Sequence, residues 1–167
     1  MKLGIVAIGL LLVGTGCSGE RSDFSNAGAT SGWTVVAYID GDTIDVKNTF
    51  GHVERIRLIG IDTPEKGECG YFEATGALAM MIKDSKVRLV PGAQTDRDQT
   101  PEQRLLRYVE VNGKDVGLEL IEKGFGVAAY DSRDIERNYG PHAREDKYVK
   151  TDESSTNQCP DMAPGRQ

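Results

Sequence analysis

The segment WTVVAYIDGDTIDVKNTFGHVERIRLIGIDTPE, residues 33–65, decides the fold. It is rich in β-branched and aromatic residues and is broken by Asp40-Gly41, a hairpin-type dipeptide. Strands are predicted at about 33–39, 42–48 and 52–61. Pro64 ends the third, because proline cannot donate to a ladder. Its final piece, RLIGIDTPE (57–65), packs an arginine, an aspartate and a glutamate into nine residues. In a flat pleat Arg57 and Asp62 point to opposite faces. Their convergence requires a bend near Gly60 or at Thr63-Pro64.

Downstream, YFEATGALAMMIKDS places Phe72, Ala79 and Ile82 on one helical stripe, with Leu78 and Met81 adjoining, so a helix is predicted over about 70–84. KVRLVP reads as a fourth strand and RLLRYVEV as a fifth, ended by the turn pair Asn112-Gly113. DVGLELIEKG is a short helix closing at Gly124. FGVAAY is a brief extended piece. An exposed third helix follows Pro141. The fold class is therefore α+β, a five-stranded OB-type β-barrel with about three helices. The globular domain is placed at 33–150, and 151–167 is a C-terminal tail.

The N-terminus has a different character. Residues 1–17, MKLGIVAIGLLLVGTGC, carry Lys2, an apolar core and small residues running into Cys17. This suits an export signal, and VGTGC is similar to a lipobox, whose cysteine receives lipid. Cys17 is thus the candidate lipidation site, anchoring the protein at the outer face of the cell membrane. The alternative is a cleaved signal and a secreted protein with an incidental cysteine. Residues 18–32 are small and polar and read as a flexible linker. With Cys17 lipidated, Cys69 and Cys159 remain as a pair in an oxidising compartment, where a disulfide is expected to tie down the tail. The chain-entropy estimate for so long a loop is roughly 4–5 kcal/mol. Neither cysteine has zinc-ligand spacing.

The 167 residues carry a formal net charge of −6. An acidic protein has no general attraction for nucleic acid, so a polyanion binder of this composition needs a local basic cluster or a metal ion.

Four pieces carry that chemistry: YIDGDT (38–43), RLIGIDTPE, QRLLRYV (103–109) and VAAYDS (127–132). In this order and spacing they resemble the staphylococcal-nuclease (thermonuclease) family from about Thr34 to about Tyr148. The resemblance implies a Ca²⁺-dependent nuclease, with DNA and also RNA as candidate substrates and 3′-phosphate products; oligomeric state is open, with a monomer as the default. By the same resemblance, Asp42, Asp62 and the main-chain carbonyl of Thr63 are Ca²⁺ ligands, with Asp40 orienting them. Arg57 and Arg104 hold phosphate, Glu65 positions or deprotonates the attacking water, and Tyr130 contacts the nucleotide phosphate.

These residue types suit the chemistry independently. Carboxylates and carbonyls are the hard donors Ca²⁺ prefers. The planar guanidinium fork grips two phosphate oxygens. A positioned carboxylate can take a proton from water. The loop DRDQTPEQR (96–104) is longer than the family's and lacks its Tyr-Gly. That leaves Arg97 as the second candidate for the arginine placed at Arg104. Ser132 stands where a second tyrosine often occurs. His52 and His142 read as surface residues. The competing function is a non-catalytic OB-fold module that binds protein or oligonucleotide at the cell surface.

Overall fold

The Asp40-Gly41 turn does more than reverse the chain. Asp40 Oδ1 accepts a hydrogen bond from the Asp42 amide at 3.0 Å, and the Ile39 amide donates to the Thr43 carbonyl at 3.0 Å. Together they close the hairpin between β1 (Thr30–Tyr38) and β2 (Thr43–Lys47). In the computed structural model, which describes residues 30–133 and 140–159, β1 begins at Thr30, three residues before the predicted start. The signal, Cys17 and most of the linker lie outside the described residues, as do residues 160–167 of the tail.

β2 pairs antiparallel with β3 (Val53–Leu58), and β1 pairs on its other side with β5 (Val87–Val90). β5 continues to β6 (Leu105–Val111). Parallel pairing of β3 with β6, Ile56 opposite Leu105, closes the five strands into a barrel. Asn112 (φ 52°) and Gly113 (φ 78°) then turn β6 into the two-residue β7, Lys114–Asp115. Both residues adopt positive φ, which is why an Asn-Gly pair serves there.

The predicted third strand is split in two. β3 stops at Leu58, Gly60 takes φ +76°, and Ile61–Asp62 forms β4, which pairs with β8 (Val127–Ala128). A Cβ on Gly60 would lie 2.5 Å from the His142 ring, so glycine is required by both conformation and space. This is the bend that the strand parity demanded.

Three helices cover the barrel: α1 (Tyr71–Ile82), α2 (Val116–Glu122) and α3 (Glu145–Ser154). α2 is capped by Asp115, whose side chain accepts from the Leu118 amide. Three readings of the sequence need correction. α1 buries Ala74, Leu78 and Ile82, and Phe72 is 81% exposed. At 3.6 residues per turn Phe72 falls about 120° around the helix from Leu78, off the core-facing row. α3 is not merely an exposed helix, since it buries Tyr148 and Asp152.

His142 is the largest correction, being 8% exposed rather than a surface residue. Tyr108 Oη accepts from the Arg144 amide at 3.0 Å and lies 2.7 Å from His142 Nδ1. His142 Nε2 is buried without a partner among the described residues. Burial holds the His142 pKa below its ordinary value, outweighing Glu145, Asp131 and Asp115. The stability contributed by the neutral ring is thus present above about pH 6.5, the ordinary histidine value, and is lost as pH falls through the depressed pKa. Thermal melts from pH 8 to pH 5 should show a drop in Tm that His142→Asn, which keeps an acceptor for Tyr108, reduces.

Cys69 and Cys159 are joined by a disulfide with a Cα–Cα distance of 6.0 Å, closing a sequence separation of 90 residues. Among the described residues, no helix is long and apolar enough to cross a membrane.

Candidate active site

The two turns converge because β2 and β3 are neighbours and Gly60 redirects the chain. The Leu58 amide donates to the Asp42 carbonyl at 2.8 Å, which pins the first turn to the end of β3. Beyond the bend, the Thr63 amide and hydroxyl each donate to Asp42 Oδ2 at 2.9 Å. Thr43 Oγ1 and Arg57 Nη1 approach Asp42 Oδ1 at 3.2 and 2.9 Å. Asp42 is 4% exposed and its side chain is fixed from four directions.

Arg57 sits at the centre, 7% exposed. Its Nη1 also donates to the carbonyls of Ile61 (2.9 Å) and Leu58 (3.1 Å), and its Nη2 lies 3.5 Å from Asp62 Oδ1. The Tyr130 ring lies 5.0 Å from its Cζ, and the Tyr130 hydroxyl donates to Asp62 Oδ1 at 3.0 Å. Tyr130 adopts φ +55°, an uncommon conformation for a non-glycine residue, to reach both partners. Its place is thus beside Asp62 and Arg57, which it positions. Thr63 likewise serves here through its amide and hydroxyl, which orient Asp42.

The local charges do not balance. Asp40, Asp42, Asp62 and Glu65 gather around the buried Arg57 guanidinium. Burial drives the Asp42 pKa up to about 7, Arg57 pulls it down, and Asp40 and Asp62 push it up again. Burial opposes the Arg57 charge, but Asp42, Tyr130 and Asp62 hold the proton on, and the net shift is upward. Glu65 is exposed, and its carboxyl is raised first by partial burial and then by Asp40 and Asp62. Its amide donates to Glu68 Oε2 at 2.8 Å.

This excess of hard, anionic oxygen is the donor chemistry of a divalent cation. Asp42 and Asp62 are the carboxylates that could hold one, with Asp40 bracing the turn by accepting from the Asp42 amide. Among the described residues, no group of three or more His, Cys, Asp or Glu side chains is arranged as a ligand set. Carbonyls or water would have to complete the coordination.

From Arg57 a cleft of about 630 Å³ runs past Tyr130 and His142 to Arg104. Arg104 Nε binds Asp98 Oδ2 at 2.6 Å, and its amide donates to Asp98 Oδ1 at 3.0 Å. Asp98, six residues earlier in the long loop, was not singled out by sequence reasoning, although its spacing in DRDQTPEQR carried the signal. Arg97 faces elsewhere: its Nη2 is engaged with both Glu54 oxygens at 3.0 and 3.1 Å. Arg104, not Arg97, therefore lines the cleft. Ser132 bonds to Glu145 and ties the segment after β8 to α3. His52 is exposed and pairs with Glu54.

The arginines should separate in assay. Arg104→Ala should lower cleavage about 10- to 100-fold, equivalent to losing one charge-assisted contact worth ~1.5–3 kcal/mol. Arg97→Ala should leave the initial rate within about twofold, since exposed ion pairs contribute ~0–1 kcal/mol. Initial rates on one single-stranded oligonucleotide suffice.

Among protein-family models, the one described as "Staphylococcal nuclease homologue" matches residues 55–152. The comparison with curated proteins returns no match.

Proposed function

Because the chain belongs to the staphylococcal nuclease homologue family, we propose that it is a Ca²⁺-dependent nuclease that hydrolyses DNA, and RNA as a second substrate, to products ending in 3′-phosphate. The observation that carries this reading is the convergence of Asp42 and Asp62 on Arg57, at 2.9 and 3.5 Å, with Arg57 lining a cleft that Arg104 also lines. Asp42, Asp62 and the Thr63 carbonyl are the proposed ligands, and the ion would neutralise charge on the phosphate oxygens.

The remaining work falls to this chain's own groups. Arg57 and Arg104 hold the phosphate between them, an arrangement that orients it and counters the charge developing in the transition state. Glu65, exposed next to Asp62 and with its proton affinity raised, takes a proton from the attacking water. Tyr130 keeps Asp62 and Arg57 in register through its hydroxyl and ring. His142 and Ile59 line the cleft. The acidic chain leaves the affinity for substrate to these local charges and the cation. Residues 1–17 are proposed to export the protein and to anchor it through lipid at Cys17.

Binding of the ion to the folded state alone raises stability by mass action, about 2.7 kcal/mol at a hundredfold excess over Kd. Ca²⁺ should therefore raise the Tm of the protein and leave that of Asp42→Asn unmoved. A melt of the parent insensitive to millimolar Ca²⁺ would contradict the metal assignment.

A further inference from the structure

Glu65 opens a stretch in which every residue from Glu65 to Cys69 is exposed. Its internal hydrogen bonds, Glu65 amide to Glu68 Oε2 at 2.8 Å and Glu68 amide to Glu65 carbonyl at 2.9 Å, set the shape of the loop. At one end the loop follows Thr63, which is bonded to Asp42; at the other it is cross-linked. Cys69 is bonded to Cys159, which is only 5% exposed. Gly70 has φ +88°, and a Cβ there would lie 3.0 Å from Cys159 Sγ and 3.2 Å from Pro64 Cγ. Cys159, Gly70 and Pro64 thus form one packed stack beside Glu65.

The far side of the stack is also fixed. The Gln158 amide donates to the Gly124 carbonyl at 2.9 Å, and Gln158 Nε2 donates to the Lys123 carbonyl at 3.1 Å. Gly124, at φ +74°, lies so close to the tail that a Cβ would come within 2.1 Å of the Thr156 carbonyl oxygen. An unbroken series of contacts therefore runs from the end of α2, through residues 156–159 and the disulfide, to the loop that carries Glu65.

We propose that the Cys69–Cys159 disulfide, with the Gly70–Pro64 contact, is a positioning device that holds Glu65 at the attacking water. The proposal rests on the reading of Glu65 given above. Its signature is kinetic. The residues packed on the bridge, Gly70 and Pro64, include neither arginine of the cleft nor Asp42, so phosphate and cation binding should survive its loss while the chemical step slows. Small displacements of a positioned group are costly in rate.

The test uses the whole chain carrying Cys69→Ala together with Cys159→Ala, assayed well below its own Tm on a single-stranded DNA oligonucleotide in saturating Ca²⁺. The expected result is a kcat lower by about tenfold or more, with KM and the Ca²⁺ midpoint within about twofold. Gly70→Ala, which keeps the bridge but forces Cys159 and Pro64 apart, should lower kcat in the same sense and covers the case in which the double variant does not fold. Parent cleavage that Glu65→Gln leaves intact overturns the reading of Glu65 and this proposal with it. Cleavage that is lost in Glu65→Gln but keeps its kcat in the folded double variant, or in Gly70→Ala, overturns the positioning role alone. So does a loss carried by KM or the Ca²⁺ midpoint.

Discussion

Arg57→Ala should lower the rate of phosphodiester cleavage by on the order of 10³-fold or more, the scale on which a phosphate-holding arginine acts in phosphoryl transfer. It should also destabilise the metal-free protein. The guanidinium is the one cation among Asp42, Asp62 and the carbonyls of Leu58 and Ile61. Removing one partner of a buried pair leaves its carboxylate uncompensated, at a cost of about 3–5 kcal/mol. Asp42 would then bind a proton more tightly, and the loss would be largest at neutral and alkaline pH, where Asp42 must be charged. Arg57→Lys should rescue neither property fully, since one ammonium cannot reproduce a planar fork that spans two carboxylates and two carbonyls. Single-turnover rates and denaturant melts with and without Ca²⁺ measure both effects.

The second large effect should come without a stability cost. Glu65→Gln removes a proton acceptor and keeps the shape, so kcat should fall about 10²–10⁴-fold. Glu65 is exposed and its own side chain accepts none of the hydrogen bonds described above, so unfolding free energy should change by no more than ~0.5 kcal/mol. The charge it loses lies near Asp40 and Asp62, which favours a slight gain. KM and the Ca²⁺ midpoint should stay near the parent values. The pair of variants thus separates a residue that holds site and substrate from one that acts on the water.

Much of this arrangement was legible in the chain because it rests on local chemistry. Asn112-Gly113 marks its turn through positive φ at both residues, while Asp40-Gly41 marks its own through the Asp40 side chain that accepts from the Asp42 amide and a glycine whose Cβ would lie 2.8 Å from Ala74 and Thr63. The parity of Arg57 and Asp62 required a bend, and Gly60 provides it at φ +76°. What escaped the sequence was set by contacts distant in the chain. Phe72 read as core because its spacing to Ala79 is helical, but only the barrel decides which face of α1 turns inward. His142 looked like a surface histidine, and its burial depends on Tyr108, 34 residues away. The choice between Arg97 and Arg104 turned on Glu54, which captures the former across 43 residues.

The central claim is tested most directly by incubating the protein with 5′-labelled single-stranded DNA, in Ca²⁺ and in chelator, and resolving the products by end chemistry. The account predicts cleavage in Ca²⁺ only, products ending in 3′-phosphate, and near-complete loss in both Arg57→Ala and Glu65→Gln. Cleavage that persists in chelator, or that survives both substitutions, would contradict it.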